Sequence, residues 1–102
     1  MQAKELTRRL KDKNLPAVID VRTGFEFNRG HIPGAIHAPT WKILLFLAPL
    51  PKDKETELVL TCEHGPRAQI VKGILAALGY RKMELLDGHM HGWRAAGLPQ
   101  EK

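Results

Sequence analysis

Apolar positions along the chain fall into short segments whose period changes from one to the next. Ala3, Leu6 and Leu10 recur at helical spacing and predict a helix that stops before Asn14-Leu15-Pro16, because proline disfavours helical geometry in the residue before it. Ala17-Val18-Ile19-Asp20-Val21 is a β-branched run of the length and type of a buried strand, and it runs out into charge at Asp20 and Arg22. A loop or short helix is expected around Phe25-Glu26-Phe27, after Gly24, while Gly30-His31-Ile32-Pro33-Gly34-Ala35 is too rich in glycine and proline for regular structure. A short strand at Ile36-His37-Ala38 then leads to Thr40, which is placed to cap a helix beginning at Trp41 and closed by Pro49 and Pro51.

Leu58-Val59-Leu60-Thr61 reads as a further strand with Cys62 at its C-terminal end. Ile70, Val71, Ile74, Leu75 and Leu78 form a helical stripe that Gly79 can end in a left-handed conformation. Met83-Glu84-Leu85-Leu86 is the last strand, and Asp87-Gly88 turns the chain into a short helix through Trp93 that Gly97 and Pro99 stop. Strands alternating with helices predict an α/β fold with parallel pairing through right-handed crossovers. Ligands in such sheets sit beyond the carboxyl ends of the strands, which is where Cys62 falls.

One segment breaks the amphipathic rule. Ile43-Leu44-Leu45-Phe46-Leu47 is apolar in succession, so a helix here has no polar side. Two readings follow: a segment buried all round, or an exposed patch for an acceptor protein, a second subunit or a membrane surface. The whole run from Ile43 to Leu50 is eight residues, far short of the roughly 20 that span a bilayer as a helix, so no membrane span is expected.

Composition narrows the class. A length of 102 residues with 43% hydrophobic and 26% charged residues suits a single folded domain over 1–102. The one cysteine cannot form an intrachain disulfide, and the first ten residues lack the apolar stretch of a secretory signal, so a reducing, cytoplasmic setting is expected. A net charge of +5 raises the question of nucleic acid, but the basic residues are scattered. Their one concentration, Lys4, Arg8, Arg9, Lys11 and Lys13, is interrupted by Glu5 and Asp12 and reads as a solvated helix face or as a surface that attracts small anions.

The chemistry concentrates in Thr61-Cys62-Glu63-His64-Gly65-Pro66-Arg67-Ala68, which joins a strand to a helix. Backbone N–H groups in such a loop converge on a point beside a helix N-terminus and bind anions. A sulfur anion is stabilised there, and the thiolate is the nucleophilic form of cysteine, so Cys62 is the candidate nucleophile. Gly65 admits dihedrals closed to other residues, and Arg67 offers a permanently charged fork to an oxyanion or a persulfide. His64 is assigned to shaping the substrate site rather than to proton transfer. Pro66 has no N–H and withdraws one donor from the cradle.

Taken in order, Asp20-Val21-Arg22, Glu26, Gly30-His31-Ile32-Pro33-Gly34-Ala35, the Cys62–Arg67 loop, Asp87-Gly88, Gly92-Trp93 and Gly97-Leu98-Pro99 resemble the rhodanese-like family over nearly the whole chain. The resemblance implies a three-layer fold with a five-stranded, mainly parallel sheet flanked by helices. It also implies sulfurtransfer: a cysteine that takes sulfane sulfur from a small anionic donor such as thiosulfate and passes it to a thiophilic acceptor. Asp20, Arg22, Glu26 and His31 resemble the family's structural ion-pair and turn network behind the loop. Four residues separate Cys62 from Arg67, as in the sulfur-transferring members, where related phosphatases and arsenate reductases have five. Ala68 stands where the family often has serine.

A rhodanese-like module that binds or delivers sulfur without turnover, and a cysteine phosphatase or arsenate reductase, are the alternatives. His89 and His91 are two apart with no third ligand at metal-site spacing, so they are expected in solvent, and Trp93 in the core. No metal or organic cofactor is implied.

Overall fold

A computed structural model describes residues 1–11 and 16–102. The expected end of the first helix at Asn14-Leu15 lies outside the described residues, as do Asp12 and Lys13 of the basic cluster. Four strands, β1 (Ala17–Asp20), β2 (Ile36–His37), β3 (Leu58–Thr61) and β4 (Met83–Leu85), form one sheet in the order β2-β1-β3-β4. Every pairing is parallel, with Ile19 opposite Ile36 and Leu60, and Leu60 in turn opposite Leu85. Among the described residues, five helices accompany them: α1 (Ala3–Leu10), α2 (Gly24–Asn28), α3 (Thr40–Leu44), α4 (Pro66–Ala77) and α5 (His89–Ala95).

The strands read as nearly continuous apolar runs because both faces of the sheet are covered. Alternate residues of a strand point to opposite faces. Ile19, Leu58 and Leu60 therefore join Val71 and Leu75 of α4 and Ile43 of α3, whereas Val18 and Val59 join Leu6 of α1 and Met90 and Trp93 of α5. Trp93 is fully buried, and its indole N–H donates to the Pro99 carbonyl at 2.8 Å. Losing a fully buried side chain such as Leu60 would cost about 2–5 kcal/mol.

Several sequence expectations are corrected. The five strands that the family resemblance implies are four among the described residues, because Glu101 makes only an isolated antiparallel bridge with His31. Pro99, just before it, has no N–H to give to a ladder. Helix α3 starts at Thr40 rather than Trp41, with Pro39 as its N-cap, and the Thr40 hydroxyl turns to the Val21 carbonyl at 3.4 Å instead of capping. It ends at Leu44, well before Pro49, because Phe46 adopts a left-handed φ of 58°.

The same short helix settles the two readings of the apolar run. Ile43 is buried, but Leu44, Leu45, Phe46 and Leu47 are 56–76% exposed, so the segment is a surface patch and is not buried all round. Helix α4 also buries less than its stripe suggested: Val71 and Leu75 face the core, while Ile70 and Leu78 are exposed. Among the described residues, no helix is long and apolar enough to cross a membrane.

Candidate active site

Cys62 follows the last residue of β3, and its loop runs into α4 at Pro66. The geometry follows from two residue types. Gly65 holds a φ of 127°, which a side chain would strain, and so turns the chain back over the cysteine; its N–H donates to Cys62 Sγ at 3.0 Å. Pro66 occupies the first position of the helix, where its missing N–H costs no intrahelical bond. The donor that proline withdraws is thus one that the helix does not use.

The loop is clamped from the far side by α5. Met90 N–H donates to the Cys62 carbonyl at 3.0 Å and His91 N–H to the Glu63 carbonyl at 3.1 Å. His89, expected in solvent, is buried, and its Nδ1 accepts the N–H of Cys62 at 3.3 Å. Burial holds the His89 imidazole below the usual histidine range, so the ring is neutral at pH 7 and carries the lone pair that this bond requires. Cys62 itself is fully buried.

Arg67, the predicted anion fork, is already engaged. Its guanidinium donates to both oxygens of Glu26 at 2.6 and 3.0 Å, and this pairing, with help from Thr23, holds the Glu26 carboxyl down to about 2. Glu26 reaches it because Thr23 and Glu26 form a reciprocal capping box at the start of α2. Sequence grouped Glu26 with Asp20, Arg22 and His31; the structure moves it to Arg67. Asp20 and Arg22 form a buried bidentate pair at 2.9–3.2 Å, and Arg22 also donates to the Gly30 carbonyl at 2.7 Å, closing the turn-rich stretch. His31 donates from Nδ1 to the Phe27 carbonyl at 2.9 Å and stacks on the Phe27 ring.

Glu63 points to arginines. Arg94 of α5 makes a bidentate pair with it and is the main reason that its carboxyl lies below the usual range; Arg22 adds a bond at 3.4 Å. Glu63, His64 and His91 bring one ligand atom each within 4.8 Å of one another, a grouping that sequence spacing missed because His91 comes from α5. The charge of Glu63 is met by Arg94 and Arg22, which weakens this set as a cation site. Beside the loop lies a cavity of about 310 Å³ lined by Arg22, Arg29 and Arg94 together with Glu26 and Glu63. With Asp20 on Arg22 and Arg67 on Glu26 included, four guanidiniums stand against three carboxylates, a balance that favours an anionic visitor.

Cys62 thus lies buried under a glycine turn, between the end of a parallel strand and the N-terminus of a helix. The sequence profile of the rhodanese-like domain matches residues 2–96. The chain belongs to the rhodanese-like domain family. Among its relatives, the thiosulfate sulfurtransferase GlpE of Tolumonas auensis is 35% identical over 82 residues, which cover 78% of this chain and 76% of that protein. A sulfurtransferase of Allochromatium vinosum is 30% identical over 99 residues, covering 97% of this chain and 91% of that one. In three dimensions, a rhodanese-related protein of Thermoplasma volcanium superposes with a TM-score of 0.83 at 26% identity, over 99% of this chain and 95% of that one.

Within this rhodanese-like domain, sequence reasoning found the cysteine loop and missed its supports. It placed His89 in solvent and did not name Arg94, since their partners lie 27 and 31 residues away in the chain. Thr23-x-x-Glu26 was a legible capping signal. Nothing in the sequence tied Glu26 to Arg67.

Proposed function

We propose that this rhodanese-like domain is a thiosulfate sulfurtransferase with Cys62 as its nucleophile and Glu63, His64, Gly65, Pro66 and Arg67 as the wall around the transferred sulfur. The observation that carries this reading is the Gly65 N–H on Cys62 Sγ at 3.0 Å at the start of α4. A negative sulfur at that point meets a backbone donor and the positive end of a helix. The thiolate attacks the sulfane sulfur of thiosulfate; a new S–S bond forms, the S–S bond of the donor breaks, and sulfite leaves with the electron pair. An acceptor thiolate or cyanide then takes the outer sulfur, and the electron pair of the broken bond returns to Cys62. The names of relatives such as the GlpE proteins agree with this reaction.

Four residues between Cys62 and Arg67 favour sulfur over a tetrahedral oxyanion, so a phosphatase or arsenate reductase is the lesser reading. The domain is taken to span 1–102 and to work in the cytoplasm, where a lone thiol stays reduced. The patch at Ile43–Leu50 is assigned to the protein that accepts the sulfur. Its exposed leucines hang from the C-terminal end of β1, where Ala38 N–H donates to Asp20 and Thr40 N–H to Val21, one strand from Cys62. Phe46 lines a groove of about 370 Å³ together with apolar Ile43 and Leu50 and with Lys52 and Lys54, a lining that fits an amphipathic, acidic face.

The decisive measurement is intact mass after incubation with thiosulfate. One added sulfur, removed by cyanide and absent from Cys62→Ser, is expected. An adduct that survives Cys62→Ser, or no adduct beside ready hydrolysis of an aryl phosphate, would overturn the assignment.

A further inference from the structure

His89 is held where a histidine is ill suited to be. It follows Gly88, whose φ is 78°, and itself adopts a φ of 50°, a region that residues with a Cβ seldom occupy. Strain of this kind persists where surrounding contacts over-determine it, and it gathers at functional sites. The contacts are on both sides of the cysteine turn. Nδ1 takes the N–H of Cys62 at 3.3 Å, and the ring edge lies so close to Gly65 that a Cβ there would stand 3.1 Å from Nε2.

We propose that His89 is a positioning residue for the sulfur chemistry: its ring pins the N–H of Cys62 and braces Gly65, so that Sγ stays under the one loop amide that donates to it. The Thr61–Cys62 peptide is the lever. If its N–H loses His89, the buried amide finds a new partner only by rotating, and that rotation swings Sγ away from the Gly65 N–H. The clamp requires a ring with a free lone pair at Nδ1, since an imidazolium donates from both nitrogens. Burial favours that neutral form. Around the ring, His64 from the cysteine loop and the Met1 amine oppose protonation, while Asp87 from the preceding turn favours it.

The rate of sulfur uptake rests on the sulfurtransferase reading, so the test pairs it with readouts that do not. His89→Gly removes both the strain and the acceptor. His89→Asn tolerates the positive φ and carries an oxygen close to where Nδ1 sits. Persulfide formation from thiosulfate should slow about tenfold in His89→Gly, with no matching fall in its thermal midpoint, and stay within about twofold of wild type in His89→Asn. Alkylation of Cys62 by iodoacetamide should change in the same order across the variants. In the wild type, the protection factor of the Cys62 amide should drop as the pH is lowered through the titration of His89.

His89→Gly matching wild type in both rates, His89→Asn as impaired as His89→Gly, or a protection factor that ignores pH would each overturn the assignment. If the wild type takes up no sulfur at all, the sulfurtransferase reading fails, while alkylation and amide protection still decide the role of His89.

Discussion

Arg67 closes the cysteine loop with its guanidinium already bonded to Glu26 at 2.6 and 3.0 Å. An incoming anion must share that fork or displace the carboxylate. Because both partners are partly exposed, the pair is worth only about 0.5–1 kcal/mol to stability despite the large drop in the Glu26 pKa. The folded value lies near 2 against an ordinary 4.5, so the folded state binds fewer protons between these limits. Its contribution is therefore complete above about pH 4.5 and vanishes as the pH falls through 2. Urea titrations of wild type and Glu26→Gln should differ by about 0.5–1 kcal/mol at pH 6 and converge by pH 2. In the same variant the freed Arg67 should lower the KM for thiosulfate about threefold, read from initial rates at pH 8.

Elements decide the geometry that residue types only permit. The end of β3 delivers Cys62, the N-terminus of α4 lies behind it, and the first turn of α5 holds the Cys62 and Glu63 carbonyls through Met90 and His91. Gly65 is the hinge of that assembly: it needs its φ of 127°, and a Cβ there would crowd the His89 ring at 3.1–3.3 Å. Gly65→Ala should cost about 1–3 kcal/mol, seen as a thermal midpoint lower by roughly 4–8 °C per kcal/mol, and should slow sulfur uptake as well. An unchanged midpoint would mean that the turn relaxes without strain and that the loop is less constrained than its dihedrals indicate.

At the scale of the molecule, the sheet is covered on both faces, and Leu44, Leu45, Phe46 and Leu47 belong to neither core. Four consecutive large apolar side chains more than half exposed form a surface that a monomer gains nothing by keeping. Changing Leu44 and Phe46 together to Ser should leave the thermal midpoint and the thiosulfate-to-cyanide rate nearly unchanged, because exposed positions contribute within about 0.5 kcal/mol. Transfer of the persulfide sulfur to an acceptor protein should fall at least about tenfold in the same variant. A fall in solution mass from dimer to monomer, measured by light scattering, would instead assign the segment to a second copy of the chain.

Periodicity along the chain determined a parallel α/β fold, and the order of its motifs determined the family and the cysteine loop. Those properties are local: a strand shows its apolar run, a turn shows its glycine, and Cys62 lies within six residues of Gly65 and Arg67. Tertiary structure alone decided the partners. Glu26 meets Arg67 across 41 residues, His89 meets Cys62 across 27, and the fate of Ile43–Leu50 depended on whether another element covered it. Helical or strand spacing states which face a residue takes, not what stands opposite that face. Pairings between distant segments, and strain accepted for their sake at His89, emerge only when the sheet has set its strands in order.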